Sequence, residues 1–236
     1  MSANFPAWLD RLAAVSLAVA ALCAVAIVID EVLHPQKMWV MNLVWPLTAL
    51  FGSFLWLAAY WVWGRAPPRR GATARRPTRA VAVFKASSHC GAGCTVGDLA
   101  AEWLAFGVPG TAVLFGWHSL FIDKTFAVWV LDFLLAFILG IGFQYFTIKP
   151  MRNLSVGEGL VAALKADAVS ITSWQVGMYG LMAMVQYGWY RREFGGIASV
   201  ASPEFWWAMQ LAMLAGFAAS YPVNWLLIHH GWKEEM

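Results

Sequence analysis

Six stretches of this chain run for about five helical turns or longer with at most one charged side chain: residues 12–29, 38–64, 103–122, 125–148, 168–190 and 205–232. An apolar run of about 20 residues is the length that crosses a bilayer as a helix. A strand-and-loop fold would leave backbone groups unpaired there, so such runs predict helices. The expected fold is therefore all-α: a polytopic membrane protein with six transmembrane helices. Asp132 alone interrupts the fourth run.

Composition agrees. Hydrophobic residues make up 61% of the 236 and charged residues 12%, against about 25% charged in a soluble domain. This excludes a disordered chain and a nucleic-acid binder. Three cysteines, Cys23, Cys90 and Cys94, are too few for a disulfide scaffold. The first run exceeds the core of a secretory signal, about 7–15 residues, and is read as a membrane helix. Many of the 15 Trp lie near the ends of the runs, among them Trp8, Trp39, Trp61, Trp63 and Trp232. That placement fits aromatic belts at two interfaces; a Trp-lined pigment or quinone pocket is the alternative.

The organisation follows from charge. Residues 64–85 carry Arg65, Arg69, Arg70, Arg75, Arg76, Arg79 and Lys85 among Pro, Ala and Gly, and read as a basic cytoplasmic linker. A transmembrane hairpin, 1–63, precedes it. A four-helix domain, 86–236, follows. With six crossings, both termini are expected in the cytoplasm. No internal repeat is visible.

The stretch Ser87-Ser88-His89-Cys90-Gly91-Ala92-Gly93-Cys94-Thr95-Val96-Gly97-Asp98 is expected to form a loop before the third helix. Thiolate and imidazole suit Cu(I) or Zn(II), and the glycines would let His89, Cys90 and Cys94 converge on one ion. A closed zinc site takes four ligands, so a fourth comes from elsewhere, with Asp98 and Glu102 as candidates, or the ion is lower-coordinate. Cys94, Asp98 and Glu102 recur every four residues and share a helix face. Two other readings stand beside the metal: Thr95-x-x-Asp98 as a capping box, and cysteines that only pack.

Ionisable groups inside a membrane are costly and point to function. Asp132 and His118 are expected at similar depth on adjacent helices, where they would pair. Asp167 opens the polar half of the fifth helix. Asp30, Glu31, His34 and Met38 are expected together at the outer face.

The residues Ser88 to Asp98, with Glu102, resemble a family of bacterial integral membrane proteins carrying the domain of unknown function numbered 4396. Lys165-Ala166-Asp167-Ala168-Val169-Ser170, Gly177-Met178, Asn224-Trp225-Leu226 and Gly231-Trp232-Lys233-Glu234 match it too. The resemblance spans about residues 86–236 and implies a multi-pass protein of the bacterial inner membrane. It implies no established activity. Relatives beside copper-oxidase modules tilt the ion toward copper.

The leading expectation is thus binding and handling of a soft metal ion, copper or zinc, at His89, Cys90 and Cys94. A non-catalytic subunit or assembly factor of a larger membrane complex, or a homo-oligomer, is the second. A haem redox carrier using His118, His229 and His230 is the third. No catalytic constellation is visible, so a non-enzymatic role is expected, with the lipid bilayer as partner and no nucleic acid.

Overall fold

The computed structural model describes residues 3–66 and 78–233. These form helices and turns, with no named strand among the described residues. The long helices are α1 (Ala7–Leu33), α2 (Met41–Gly64), α3 (Arg79–Gly107), α5 (Lys124–Arg152), α6 (Val156–Ala183) and α8 (Pro203–His229). Short α4 (Gly110–Leu114) follows α3, and short α7 (Arg191–Glu193) ends a wider helical turn after α6. Four helices, Ala7–Leu33, Met41–Gly64, Lys124–Arg152 and Pro203–His229, are long and apolar enough to cross a membrane. Residues 67–77 of the basic linker lie outside the described residues.

The ends of these helices carry the expected chemistry. Ser155 and Glu158 form a reciprocal capping box at α6. Ser202 caps α8, with Pro203 in its first turn. Thr78 caps α3.

The third helix differs from expectation. It occupies Arg79–Gly107 rather than 103–122, and stops where Pro109 cannot continue it. The supposed cysteine loop is its buried middle. Gly93 and Gly97 are not turn residues: they are the flat face on which α5 lies. A methyl group at Gly93 would sit 2.6 Å from the Gly140 Cα, and one at Gly97 2.5 Å from the Ala136 Cα. Gly93-x3-Gly97 and Ala136-x3-Gly140 are paired small-residue motifs, and small residues let membrane helices approach closely. Thr95 is mid-helix and donates to the Gly91 carbonyl at 2.7 Å, so no capping box starts there.

The second run is not one straight helix. Ser53 has φ 50° and ψ −133°, and the chain reverses there. Trp45 lies against Gly64, although 19 residues of straight helix would separate them by about 28 Å. Trp45 also meets Tyr60 edge-on at 5.6 Å, and Phe51 meets Trp56 at 5.1 Å. Residues 41–52 and 54–64 are therefore two half-length arms of a helical hairpin. Its return arm docks on the bundle through Trp56, between Phe84 and Phe217 at 5.1 and 4.9 Å. The Trp56 indole donates to Ser88. At the tip, the Leu50 carbonyl accepts from Gln210, which itself accepts from Ser16 of α1.

With the hairpin returning to its own side, the described residues begin and end at opposite ends of the bundle. Asn4 donates to the Phe194 carbonyl, and Phe5 packs on Tyr190. Arg79, His229 and the α5–α6 turn share the other end, where Lys233 folds in. Six crossings would instead place Asn4 and Lys233 at the same end. The cluster at Asp30 moves with it: Asp30 accepts from Tyr60, Arg65 and His34 beside the hairpin's return arm, at the linker end.

Candidate functional site

Cys90, Cys94, Asp98 and Glu102 stand every four residues along α3, all buried. On a helix this spacing makes one slowly turning stripe. Across from it, α5 contributes Asp132 and α6 contributes Gln175 and Tyr179. Asp98 Oδ1 accepts from the Gln175 amide at 3.3 Å, while its Oδ2 has no partner. Asp132 is fully buried, and neither of its oxygens has a partner. The expected pair with His118 does not form. Helix α3 ends well before His118, which is exposed and stacked on Trp117 at 4.2 Å. Tyr179 instead donates to the Trp129 carbonyl at 2.9 Å.

Asp98, Glu102 and Asp132 lie close enough for their charges to interact. Among the described residues, Lys124 at the bundle's end is close enough to Glu102 for their charges to interact. Its ammonium already donates to the Ala105 carbonyl at 2.7 Å and lies 5.6 Å from the Trp117 ring centre.

A second polar group lies nearer the linker end. Lys233 donates to Asp167 at 2.6 Å and to Asn224 Oδ1 at 2.8 Å, with both charged side chains fully buried. Asn224 in turn donates to Ser87, Ser170 and the Ser220 carbonyl. A turn at Gly231, with φ 69°, brings Lys233 back under the bundle. His89 Nε2 meets Thr147 Oγ1 at 2.9 Å, and Gln144 is buried with its amide unpartnered. From His89 to Glu102 the two groups and the cysteines between them cover about 20 Å of helix, against a hydrocarbon thickness of about 30 Å.

Of the residues singled out in the sequence, Cys90, Cys94, Asp98, Glu102 and Asp132 share the upper column, and His89 and Asp167 the lower. The two cysteines are free. No group of three or more His, Cys, Asp or Glu among the described residues is disposed to hold a metal ion. His118 sits at the opposite end from His229, which contacts Arg79 at 3.0 Å, and His230. Sequence reasoning missed Lys233, Asn224 and Gln144 as partners, and placed Gln175 only in the polar half of the fifth helix. A Lys two residues after a Gly, and amides inside apolar runs, were the available signals.

The fold and site define a helical membrane protein with a polar core. The chain belongs to the family described as domain of unknown function DUF4396, whose model matches residues 81–233. That stretch contains every residue of the column. No curated protein and no solved structure matches the chain.

Proposed function

We propose that this chain carries protons across a membrane along the column formed by α3, α5, α6 and α8. The observation that supports the reading is the trio Asp98, Glu102 and Asp132, buried together with no ammonium or guanidinium among the described residues hydrogen-bonded to any of them. An uncompensated carboxylate is costly in a low-dielectric interior. Such groups hold a proton or a cation, and a row of them can pass one along. His89, Thr147 and the Asp167–Lys233 pair continue the row toward the linker end.

The topology belonging to this reading has five crossings, α1, α3, α5, α6 and α8, with α2 as a re-entrant hairpin. Irregular backbone at membrane depth is tolerated where protein covers it, as the aromatic cluster around Trp56 does. The linker end is cytoplasmic by charge. Among the described residues, only Arg11, Lys124, Arg191 and Arg192 of the Lys and Arg lie toward the other end. Purified protein in liposomes should acidify or alkalinise the lumen in response to a potassium diffusion potential, and Asp132→Asn should abolish the response. Flux no faster than in empty liposomes would sink the reading.

Handling of a soft metal ion is the second reading, and Cys90 and Cys94 favour it. They are free, buried and one turn apart. Thiolates select soft ions such as Cu(I). Copper or zinc bound at one per chain, and lost in the Cys90→Ser/Cys94→Ser protein, is its expected signature. Full retention in that variant would remove the site.

A further inference from the structure

A cavity of about 570 Å³ opens at the linker end of the bundle, where the α5–α6 turn meets the residues that follow α8. Helix α5, long and apolar enough to cross a membrane, ends at Arg152, and Arg152 lines the cavity. The cavity therefore lies where a crossing helix reaches the membrane surface. Ile148 and Val161 give it apolar walls. Val161 is 66% exposed, and Leu160 and Leu164 beside it on α6 are exposed too. An apolar face thus runs from the cavity along α6, and hydrocarbon covers such a face at lower cost than water.

The charged groups of the lining are Arg152, Lys165 and Glu158. Both cations are on exposed residues, so a ligand meets them without opening the core. The Lys165 ammonium lies 4.9 Å from the centre of the Trp232 ring, and Trp232 is itself a wall of the cavity. Trp beside a basic side chain suits the boundary between headgroups and hydrocarbon. The Glu158 carboxylate is turned to its own helix end, where it accepts from the Ser155 backbone N–H at 3.1 Å and the Ser155 hydroxyl at 2.7 Å. A guanidinium and an ammonium beside apolar walls match a phosphodiester that carries acyl chains.

We propose that this cavity binds the headgroup of an anionic phospholipid, with its phosphate on Arg152 and Lys165 and its acyl chains along the Val161 face of α6. The volume falls within the roughly 300–1,000 Å³ of small-molecule sites, enough for a phosphoglycerol group. The site lies outside the carboxyl column and requires neither proton nor metal movement.

Phosphatidylglycerol and phosphatidylcholine with the same fluorescent tail share a phosphate and chains and differ in net charge. Their binding to the purified full-length protein in detergent is measured by fluorescence polarisation. Phosphatidylglycerol should bind more tightly by at least about tenfold, the size of two cations acting on one anionic headgroup. Arg152→Gln/Lys165→Gln should erase that preference, and the charge-keeping Arg152→Lys/Lys165→Arg should retain it. Arg191→Gln/Arg192→Gln, at the other end of the bundle, should retain it as well. Val161→Trp, which fills the cavity without changing charge, should weaken phosphatidylglycerol binding. Equal binding of the two lipids to wild type would overturn the site, as would a preference that survives Arg152→Gln/Lys165→Gln. Glycerol phosphate displacing the labelled lipid as well as unlabelled phosphatidylglycerol does would make the ligand a soluble phosphate ester and overturn the lipid. A preference that emerges only in Glu234→Gln/Glu235→Gln would mean that the chain's own acids satisfy the cations, and would overturn it too. Every readout is equilibrium binding, so each result leaves the flux test on Asp132→Asn independent.

Discussion

Lys233 and Asp167 form a fully buried ion pair 2.6 Å long, shared with Asn224. Removing one partner of such a pair leaves a buried charge and typically costs about 3–5 kcal/mol. Lys233→Met should therefore lower the melting temperature in detergent sharply. Adding Asp167→Asn should recover most of the loss, because the orphan charge goes with it. Strictly additive losses in the two variants would mean the groups are not coupled. At this scale the sequence was partly legible. The four-residue spacing of Cys90, Cys94, Asp98 and Glu102 declared one helix face, and the cost of charge in hydrocarbon singled out Asp132 and Asp167. His89 was grouped with the cysteines because it is adjacent in sequence. On a helix, adjacent residues point about 100° apart, and His89 turns to Thr147 instead. Lys233 stood out only within the family match, since nothing local announces that Gly231 turns it inward.

The long helices were legible as elements because length and hydropathy set them. The two errors have different physical causes, and the first is a rule from water applied to a membrane. Gly91, Gly93 and Gly97 weaken a solvated helix, yet between packed membrane helices they are the contact surface. For residues 38–64, one full crossing and two half-length arms bury the same apolar side chains, so composition alone does not distinguish them. Gly52-Ser53 at the centre of the run was the available cue, as Gly and Ser together often mark kinks. Ser53 occupies a positive-φ conformation favoured by glycine. Ser53→Gly should stabilise the protein by about 1–3 kcal/mol, the strain of a residue held in that region. Ser53→Val should destabilise it. A melting shift of the same sign in both variants would argue that the chain does not reverse at this position.

For the whole molecule, the hairpin changes parity. On the proposed topology, five crossings put Asn4 and Lys233 on opposite sides, whereas six would put them together. Reporter fusions at the two ends of the chain should therefore read opposite compartments, with the C-terminal one cytoplasmic and the N-terminal one not. Matching signals would restore a continuous second span. The charge bias is the same on either topology, since dropping one crossing moves Lys37 and Arg11 in exchange.

The most direct measurement is proton flux into liposomes carrying the purified chain, driven by a potassium gradient and read with a lumenal pH dye. Wild-type protein should conduct, and the Cys90→Ser/Cys94→Ser protein should conduct as well, since carboxyl groups carry the proton. Asp98→Asn, Glu102→Gln and Asp132→Asn should each reduce flux by at least about tenfold, corresponding to a barrier of about 1.4 kcal/mol or more. Full flux in the Asp132→Asn protein, or none in wild type above empty liposomes, would contradict the account.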